Sequence, residues 1–224
     1  MKNAFVSIQN LRKQFGDKVL FDRFNLDINE GEFLVITGES GCGKTTLLNM
    51  IGGLEPVSEG AVRVMGFDIT KAKNLQKYYR DIVGFIFQNF ALIEQKTVEE
   101  NLKMIHKKGQ SGLSIRQALR SVGLDGSQKQ KVFALSGGEQ QRIALARLRL
   151  KNCRLILADE PTGSLDRKNG AIVMNLLHQL NAEGKTVIMV THDESLIRAQ
   201  DRHLLLSKSP YRKRASRTRS GLPI

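Results

Sequence analysis

Cysteine and long apolar segments are scarce in this sequence. Its two cysteines, Cys42 and Cys153, show no metal-ligand spacing and cannot form a disulfide framework, as is typical of a reducing compartment. No apolar run approaches the roughly 18 residues that span a membrane. Residues 1–9 lack the apolar core of a secretory signal. These absences lead us to expect a soluble chain made in the cytosol.

Acidic residues are also few: 22 against 35 lysines and arginines, for a formal net charge of +13. Residues 207–224 carry six of the basic residues and no acid, which leaves +7 on residues 1–206. We expect this tail to be disordered and solvated, with attachment to anionic lipid or nucleic acid as the alternative. The charge that remains suits a protein working beside an anionic membrane surface.

The length of 224 residues fits one domain, and a hydrophobic content of 41% is ample for a packed core. Short apolar runs at residues 33–37, 155–158 and 187–190 look like buried strands. They alternate with segments of helical spacing, which predicts an α/β fold with a mainly parallel sheet and ligands at the carboxyl ends of its strands. The mostly helical residues 65–135 interrupt this alternation and indicate an inserted helical lobe at about 89–135.

A glycine-rich segment follows the strand predicted at 33–37 and precedes a helix predicted at 44–51. It fits the pattern G-x-x-x-x-G-K-[ST] in the strand-to-helix context that a phosphate-binding loop requires. In such a loop backbone N–H groups wrap the phosphates, the lysine reaches the β- and γ-phosphates, and the hydroxyl ligates Mg²⁺. We therefore expect Lys44 to be catalytic and Thr45 to be a metal ligand. The predicted nucleotide-binding residues are Gly38, Glu39, Ser40, Gly41, Cys42, Gly43, Lys44, Thr45 and Thr46.

Two adjacent carboxylates end a second buried strand, predicted at 154–158. Neighbouring side chains of a strand point in different directions, so Asp159 and Glu160 can act separately. We expect Asp159 to hold Mg²⁺ and Glu160 to act as general base or to position the attacking water. The alternative is an acidic turn before Pro161, which would place two charges beside a buried strand at a cost in solvation.

Residues 135–139, Leu-Ser-Gly-Gly-Glu, begin a helix predicted at 137–150. Ser136 is a good N-cap and Glu139 completes a Ser-x-x-Glu capping box. Gly137 and Gly138 each cost about 1 kcal/mol relative to alanine in a helix, and a capping box does not need them. They indicate that a large anion approaches this helix N-terminus. A glycine-tolerant loop is the alternative interpretation.

Four motifs in this order resemble the nucleotide-binding subunits of ATP-binding cassette (ABC) transporters. They are the phosphate loop at 38–45, the signature at 135–139, the pair Asp159-Glu160, and His192 after a strand predicted at 186–190. The resemblance covers residues 4 to about 206. It implies a P-loop NTPase core with a mainly parallel sheet, an antiparallel β subdomain near the N-terminus and an inserted helical subdomain. It also implies ATPase activity with ATP and Mg²⁺ as cofactors.

The resemblance implies roles for further residues at matching positions. Gln88, after the strand predicted at 83–87, would contact Mg²⁺ and the attacking water as a catalytic residue. His192 would contact the γ-phosphate and is likewise catalytic. Phe15 would stack on adenine, with core packing as the alternative. The nucleotide-binding residues that act across to a second cassette would be Ser136, Gly138 and Asp166.

The resemblance is strongest to bacterial subunits that power lipoprotein release, macrolide export and bacteriocin or antimicrobial-peptide export. Segments 83–90 (VGFIFQNF), 135–142 (LSGGEQQR) and 160–166 (EPTGSLD) carry it. It implies an ATP-hydrolysing subunit at the cytoplasmic face of the cell membrane, paired head to tail with a second cassette as a homodimer and bound to an integral membrane permease. No specific nucleic acid is expected. The alternative is an ABC-type ATPase that serves a non-transport assembly or a nucleic-acid process.

Overall fold

A computed structural model describes residues 4–207, so the predicted tail lies outside the described residues apart from Ser207. The strands are β1 (Val6–Phe15), β2 (Lys18–Ile28), β3 (Phe33–Gly38), β4 (Glu59–Val64), β5 (Phe67–Asp68), β6 (Val83–Phe87), β7 (Leu155–Asp159), β8 (Thr186–Val190) and β9 (Arg202–Leu206). The α-helices are α1 (Lys44–Ile51), α2 (Ala72–Asp81), α3 (Val98–Leu102), α4 (Ile115–Ser121), α5 (Gly137–Leu150) and α6 (Arg167–Ala182). Among these residues, no helix has both the length and the apolarity of a membrane span.

Five strands form a parallel sheet in the order β6-β7-β8-β3-β9. All of β8 and the first four residues of β7 are buried, as expected of a parallel sheet covered on both faces. Alternate residues of β3 enter different cores: Leu34 and Ile36 join the core that contains α1, and Val35 joins the core that contains α5 and α6. Because the five strands are parallel, their carboxyl ends lie at one edge of the sheet, and the sequence predicts a ligand site at this edge.

The N-terminal strands form an antiparallel sheet in the order β2-β1-β4-β5. A two-residue turn at Gly16-Asp17 joins β1 to β2. The apolar alternation predicts that β1 ends at Leu11, but the strand continues to Phe15 because register shifts between Ile8 and Gln14 interrupt the alternation without ending the pairing. The two sheets confirm the predicted class, an α/β core with a parallel sheet and an antiparallel β subdomain.

The residues between β6 and α5 contain less helix than their spacing predicts. The spacing predicts that residues 97–124 are mainly helical with a break at Gly109–Gly112; the structure has the short helix α3, a 3₁₀ turn at Lys107–Gly109 and α4 there. Each short helix starts with a capping box, at Thr97 and at Ser114. Gly112, with φ +87°, lies between them and favours a turn rather than a continuous helix.

The helix α2 holds the C-terminal end of the phosphate-loop helix α1. The hydroxyl of Tyr78 is buried and donates to the carbonyl oxygen of Ile51 at 2.7 Å. The hydroxyl of Tyr79 donates to the carbonyl oxygen of Gly53 at 2.6 Å from a part-buried position. Burial raises the pKa of Tyr78 far above its usual value, so this hydroxyl remains a donor. These bonds use carbonyls at the end of α1, which lack helical partners.

Tyr78→Phe is expected to lower the free energy of unfolding by about 1–3 kcal/mol, because it leaves the buried carbonyl of Ile51 without a donor. Urea unfolding followed by circular dichroism measures the loss. Tyr79→Phe is the matched control and should cost less, because water can reach the part-buried carbonyl of Gly53. Equal losses in the two variants would show that burial of the bond is not the cause.

Candidate nucleotide site

The phosphate loop runs from the end of β3 to the first turn of α1. Gly38, Gly41 and Gly43 have φ values of 145°, 75° and 109°. Gly43 requires glycine most clearly: it caps α1 in the left-handed region, and a Cβ there would lie 2.9 Å from the ring of Phe21 and 3.0 Å from Leu20. No acidic residue occupies the first turn of α1. The free N–H groups of this turn therefore favour an anion.

Lys44 lies across the loop. Its Nζ donates to the carbonyl oxygens of Gly38, at 2.7 Å, and of Glu39, at 3.2 Å. These bonds hold the ammonium beside the backbone that is predicted to wrap the phosphates. The position fits a lysine that reaches the β- and γ-phosphates of a nucleotide.

Thr45 joins α1 to the end of β7, because its Oγ1 donates to Oδ1 of Asp159 at 3.0 Å. Burial raises the pKa of Asp159, and the charge of Glu160 raises it further, while the Thr45 hydrogen bond and the charge of Lys44 lower it. A divalent cation beside Asp159 would offset the cost of its charge. Hydroxyl and carboxylate oxygens are ligands that Mg²⁺ prefers, with few protein groups and with substrate phosphates completing its shell. Within residues 4–207, no group of three or more His, Cys, Asp or Glu offers a larger metal site.

Glu160 turns away from Asp159, as two adjacent carboxylates with separate roles require. Its φ of +46° is rare for a residue other than glycine. Its Oε1 lies 3.0 Å from Nδ1 of His192, and its Oε2 is buried without a hydrogen-bond partner in the described part of the chain. His192 follows β8 and 71% of its side chain is exposed. The Glu160 carboxylate thus keeps one oxygen that no hydrogen bond engages in the described residues, and a carboxylate with a free lone pair can act as a base.

A cavity of about 710 Å³ brings together predicted residues from distant parts of the chain. Phe15 is 49% exposed, and Nζ of Lys13 lies 4.5 Å from the centroid of its ring. Lys18, which pairs with Phe15 in the β1–β2 hairpin, and Leu20, two residues further along β2, also face the cavity. No local motif predicts these two residues. The full lining is Phe15, Lys18, Leu20, Ser40, Gly41, Gly43, Lys44, Thr45, Thr46, Glu160 and His192.

Gln88 lies in a second cavity of about 690 Å³, which Asp159, Ser164 and Gly137 also line. Asp159 faces this cavity, whereas its hydrogen-bond partner Thr45 faces the first. The two cavities therefore meet at the Thr45–Asp159 bond. The structure places Gln88 beside the predicted metal ligand and outside the lining of the phosphate-loop cavity.

The signature residues begin α5 as predicted. Ser136 is the N-cap, and its N–H and hydroxyl donate to Oε2 of Glu139 at 2.9 and 2.7 Å. These bonds lower the pKa of Glu139. Neither cavity is lined by Ser136 or Gly138. The structure thus separates the signature from the phosphate-loop cavity of its own chain.

Gly138 has a structural reason that the sequence does not show. A Cβ at Gly138 would collide with the side chain of Asn169 on α6. Asn169 is held by Asp166, the N-cap of α6, whose oxygens accept its backbone N–H at 2.9 Å and its side-chain amide at 2.7 Å. Gly137, by contrast, faces the Gln88 cavity. Gly138 therefore has a packing reason within the chain, and its role toward a ligand stays a prediction.

Cys42 contributes to the loop through its backbone. Its side chain is 1% exposed and belongs to the core beneath the loop. Its N–H donates to the carbonyl oxygen of Glu39 at 3.2 Å. The thiol is therefore a packing group, and only the peptide of Cys42 can face a phosphate.

The fold and this site define a P-loop nucleotide-binding domain, with the loop, the acid pair and the histidine at one edge of a parallel sheet. A family model described as ABC transporter matches residues 21–163. The chain belongs to this family and is an ATP-binding cassette. The predicted family is thus confirmed, and with it come ATPase activity and the cofactors ATP and Mg²⁺.

Curated relatives are similar to nearly the whole chain. The macrolide export ATP-binding/permease protein MacB of Campylobacter jejuni is 37% identical over 201 residues, or 85% of this chain. The lipoprotein-releasing system ATP-binding protein LolD of Leptospira interrogans is 38% identical over 85% of this chain and 84% of its own length. The methionine import ATP-binding protein MetN of Campylobacter jejuni is 37% identical over 86% of this chain and 65% of its own length. The predicted export subgroup is present among the relatives, together with an importer.

The chain spans 31% of the length of the macrolide export relative. Among solved structures, the dimeric cassette MJ0796 in a post-hydrolysis state with ADP and phosphate is 38% identical, with a TM-score of 0.78. That similarity covers 91% of this chain and 96% of the solved one. It agrees with the two sheets described above.

Asp159→Asn is expected to stabilise the fold at neutral pH. Because the pKa of Asp159 is raised in the folded state, the folded chain holds the proton more tightly and stability falls as pH rises from the unfolded value, about 4, through the folded one. Asparagine keeps an oxygen acceptor for Thr45 and carries no charge. Urea unfolding between pH 3 and pH 8, roughly the span of these values, should show a gain that grows with pH.

Asp68→Asn is the control of opposite sign. The hydrogen bond from Thr70 lowers the pKa of Asp68, so its contribution to stability is present above the unfolded value and lost as pH falls. This variant should therefore lose stability at neutral pH. A stability gain for Asp159→Asn that is independent of pH would contradict the assigned cause.

Proposed function

We propose that this chain is the ATP-binding and ATP-hydrolysing subunit of a bacterial ABC transporter, of the type that exports peptides or bacteriocins, antibiotics or lipoproteins. The cavity that joins Phe15, Lys44, Thr45, Glu160 and His192 is the observation that carries the proposal. Residues 1–206 form the cassette, with residues 89–135 as its helical insertion. The proposed subunit is located at the cytoplasmic face of the membrane.

In this proposal the triphosphate lies on the phosphate loop, with the first turn of α1 and Lys44 facing its charges. Phe15 stacks on adenine with its exposed ring face. Thr45, Asp159 and Gln88 hold Mg²⁺, which when bound neutralises charge that develops on the phosphates. The division of these residues between two cavities suits this role, since Thr45 and Asp159 meet at the shared wall.

Glu160 is the general base of the proposed reaction. Its carboxylate accepts the proton of the attacking water as the oxygen–phosphorus bond forms and the bond between the γ-phosphorus and the bridging oxygen breaks. His192, 3.0 Å from Oε1, fixes the direction of the carboxylate and faces the γ-phosphate. Gln88 positions the water from the side of Asp159. ADP and inorganic phosphate are the products.

The site is completed by a second cassette. Ser136 and Gly138 lie outside the cavity of their own chain, which supports a role toward the nucleotide of a partner. A two-fold dimer makes such contacts reciprocal, since each phosphate loop meets the other chain's signature. Asp166 lies at the same helix contact through Asn169. A homodimer is the simplest assembly that meets this requirement.

A membrane permease is the proposed second partner, with residues 89–95 after Gln88 as its contact. The alternative is an ABC-type ATPase in a non-transport assembly or a nucleic-acid process, for which the basic charge is the only support. Purification from membranes distinguishes the two: co-purification with a polytopic membrane protein supports transport, and co-purification with nucleic acid alone contradicts it.

Glu160→Gln is expected to leave ATP binding intact, to lower turnover by a factor on the order of 10³ and to accumulate an ATP-bound dimer, because the amide cannot accept the proton. Steady-state phosphate release measures the loss of turnover, and light scattering with ATP measures the accumulation of the dimer. Turnover at the wild-type rate would remove Glu160 from the role of base.

Ser136→Arg and Lys44→Ala are each expected to be inactive alone, because one removes the signature contact and the other the phosphate contact. Mixed in equal amounts they should regain activity: half of the dimers are mixed, and one of the two sites in each is intact, so about a quarter of the wild-type rate returns. Phosphate release by the mixture is the measurement. No recovery, with mixed dimers demonstrated, would indicate that each chain contains its whole site.

A further inference from the structure

The turn after Gln88 contains two residues in the left-handed region. Phe90 has a φ of +62° and Ala91 of +48°, which residues of these types rarely adopt. Local bonds close the turn: the N–H of Phe90 donates to the carbonyl oxygen of Phe87 at 3.1 Å, and that of Ala91 to Asn89 at 2.7 Å. A turn of this shape persists only where surrounding contacts hold it.

Arg147 on α5 supplies such contacts. Its Nη1 donates to the carbonyl oxygen of Ala91 at 2.7 Å and its Nη2 to that of Phe90 at 3.4 Å. Burial lowers the pKa of this guanidinium. Across residues 4–207, no carboxylate forms an ion pair with it. A partly buried cation without a counter-ion is costly, and the two carbonyl dipoles are what offsets that cost here.

The guanidinium of Arg147 lies in a groove that is separate from both cavities of the nucleotide site. Ala91 and Arg147 line a groove of about 420 Å³, whereas Phe90 lines the cavity of Gln88 and Asp159. The turn thus has one residue in each space, and Arg147 bonds to both. Arg147 does not line the phosphate-loop cavity.

Arg149 offers a matched comparison on the same helix. Its Nη1 lies 2.7 Å from Oε1 of Glu183, and its side chain is 11% exposed. It therefore stabilises the packing of α5 through an ordinary ion pair, and none of its hydrogen bonds goes to the Gln88 turn.

We propose that Arg147 is a positioning residue for Gln88: it holds the Phe90–Ala91 turn and thereby sets the place of Gln88 beside Asp159. The proposal rests on the proposed ATP hydrolysis. Without the guanidinium, the two left-handed residues relax and carry Gln88 away from the metal ligand. Binding of the nucleotide is retained, because Phe15 and the phosphate loop line the other cavity and the Thr45–Asp159 bond does not depend on the turn. The defect therefore falls on kcat and not on the affinity for ATP.

The test compares Arg147→Met, Arg147→Lys and Arg149→Met in the full chain. Arg147→Met should lower kcat on the order of tenfold, since a small misplacement of a catalytic group has effects of this size, with the Kd for ATP within about twofold. Arg147→Lys keeps the charge and can donate to one carbonyl, so it should be intermediate. Arg149→Met should lose stability while keeping kcat. If Arg147→Met does not fold, the intermediate kcat of Arg147→Lys carries the test.

A double-mutant cycle with Gln88→Ala separates positioning from general loss of structure. If Arg147 acts through Gln88, adding Arg147→Met to Gln88→Ala should lower kcat no further. Three outcomes would overturn the proposal: a further loss of kcat when Arg147→Met is added to Gln88→Ala, an equal loss of kcat in Arg149→Met, or a wild-type kcat in folded Arg147→Met. If Arg147→Met does not fold, a wild-type kcat in Arg147→Lys would overturn it. Absence of ATP hydrolysis in the wild-type dimer would instead contradict the proposed function itself.

Discussion

The parallel alignment of β6, β7, β8 and β3 is the constraint on which the site depends. Because these strands run in one direction, the residues that follow them leave the sheet at one edge, although they are distant in the sequence. Gln88, Asp159 and His192 and the phosphate loop are brought together in this way. The Thr45–Asp159 hydrogen bond then joins the loop helix to the end of β7. The site at this edge therefore depends on the parallel sheet, because no single motif contains all of its residues.

The features that the sequence predicts correctly are those that local residue patterns determine. Buried strands such as β7 follow from short apolar runs, and the start of α5 follows from the capping box of Ser136. No local pattern predicts the positive φ of Glu160 or the buried hydrogen bond from Tyr78 to α1, because both depend on residues that are distant in the sequence. Gly138 is predictable only in part. The sequence shows that a glycine at this helix position is unfavourable, but the neighbouring side chain that requires it, Asn169, lies on another helix.

The proposed catalytic groups line two cavities that meet at the Thr45–Asp159 hydrogen bond. The side of Phe15 and Lys44 is built on one loop whose shape is set by glycines and by the end of β3. The side of Gln88 is built on a turn with two left-handed residues, held from outside by Arg147 on α5. In the proposed function, affinity for a nucleotide and the rate of its hydrolysis would thus depend on different parts of the chain. The same α5 begins with the signature, so one helix contacts the Gln88 turn through Arg147 and carries the residues proposed to face a second cassette.

The hydroxyl of Ser136 is already engaged within its own helix, donating to Glu139 at 2.7 Å. A hydroxyl has one proton to donate, so a phosphate oxygen can receive it only when the carboxylate gives it up. Glu139 is ionised at neutral pH, since its bonds with Ser136 lower its pKa, and it repels an approaching phosphate. The proposed contact between Ser136 and a nucleotide would therefore replace the carboxylate of Glu139 by a phosphate oxygen as acceptor. In the proposed dimer such an exchange would have a small net free energy, so two cassettes joined by it would be able to separate after each turnover.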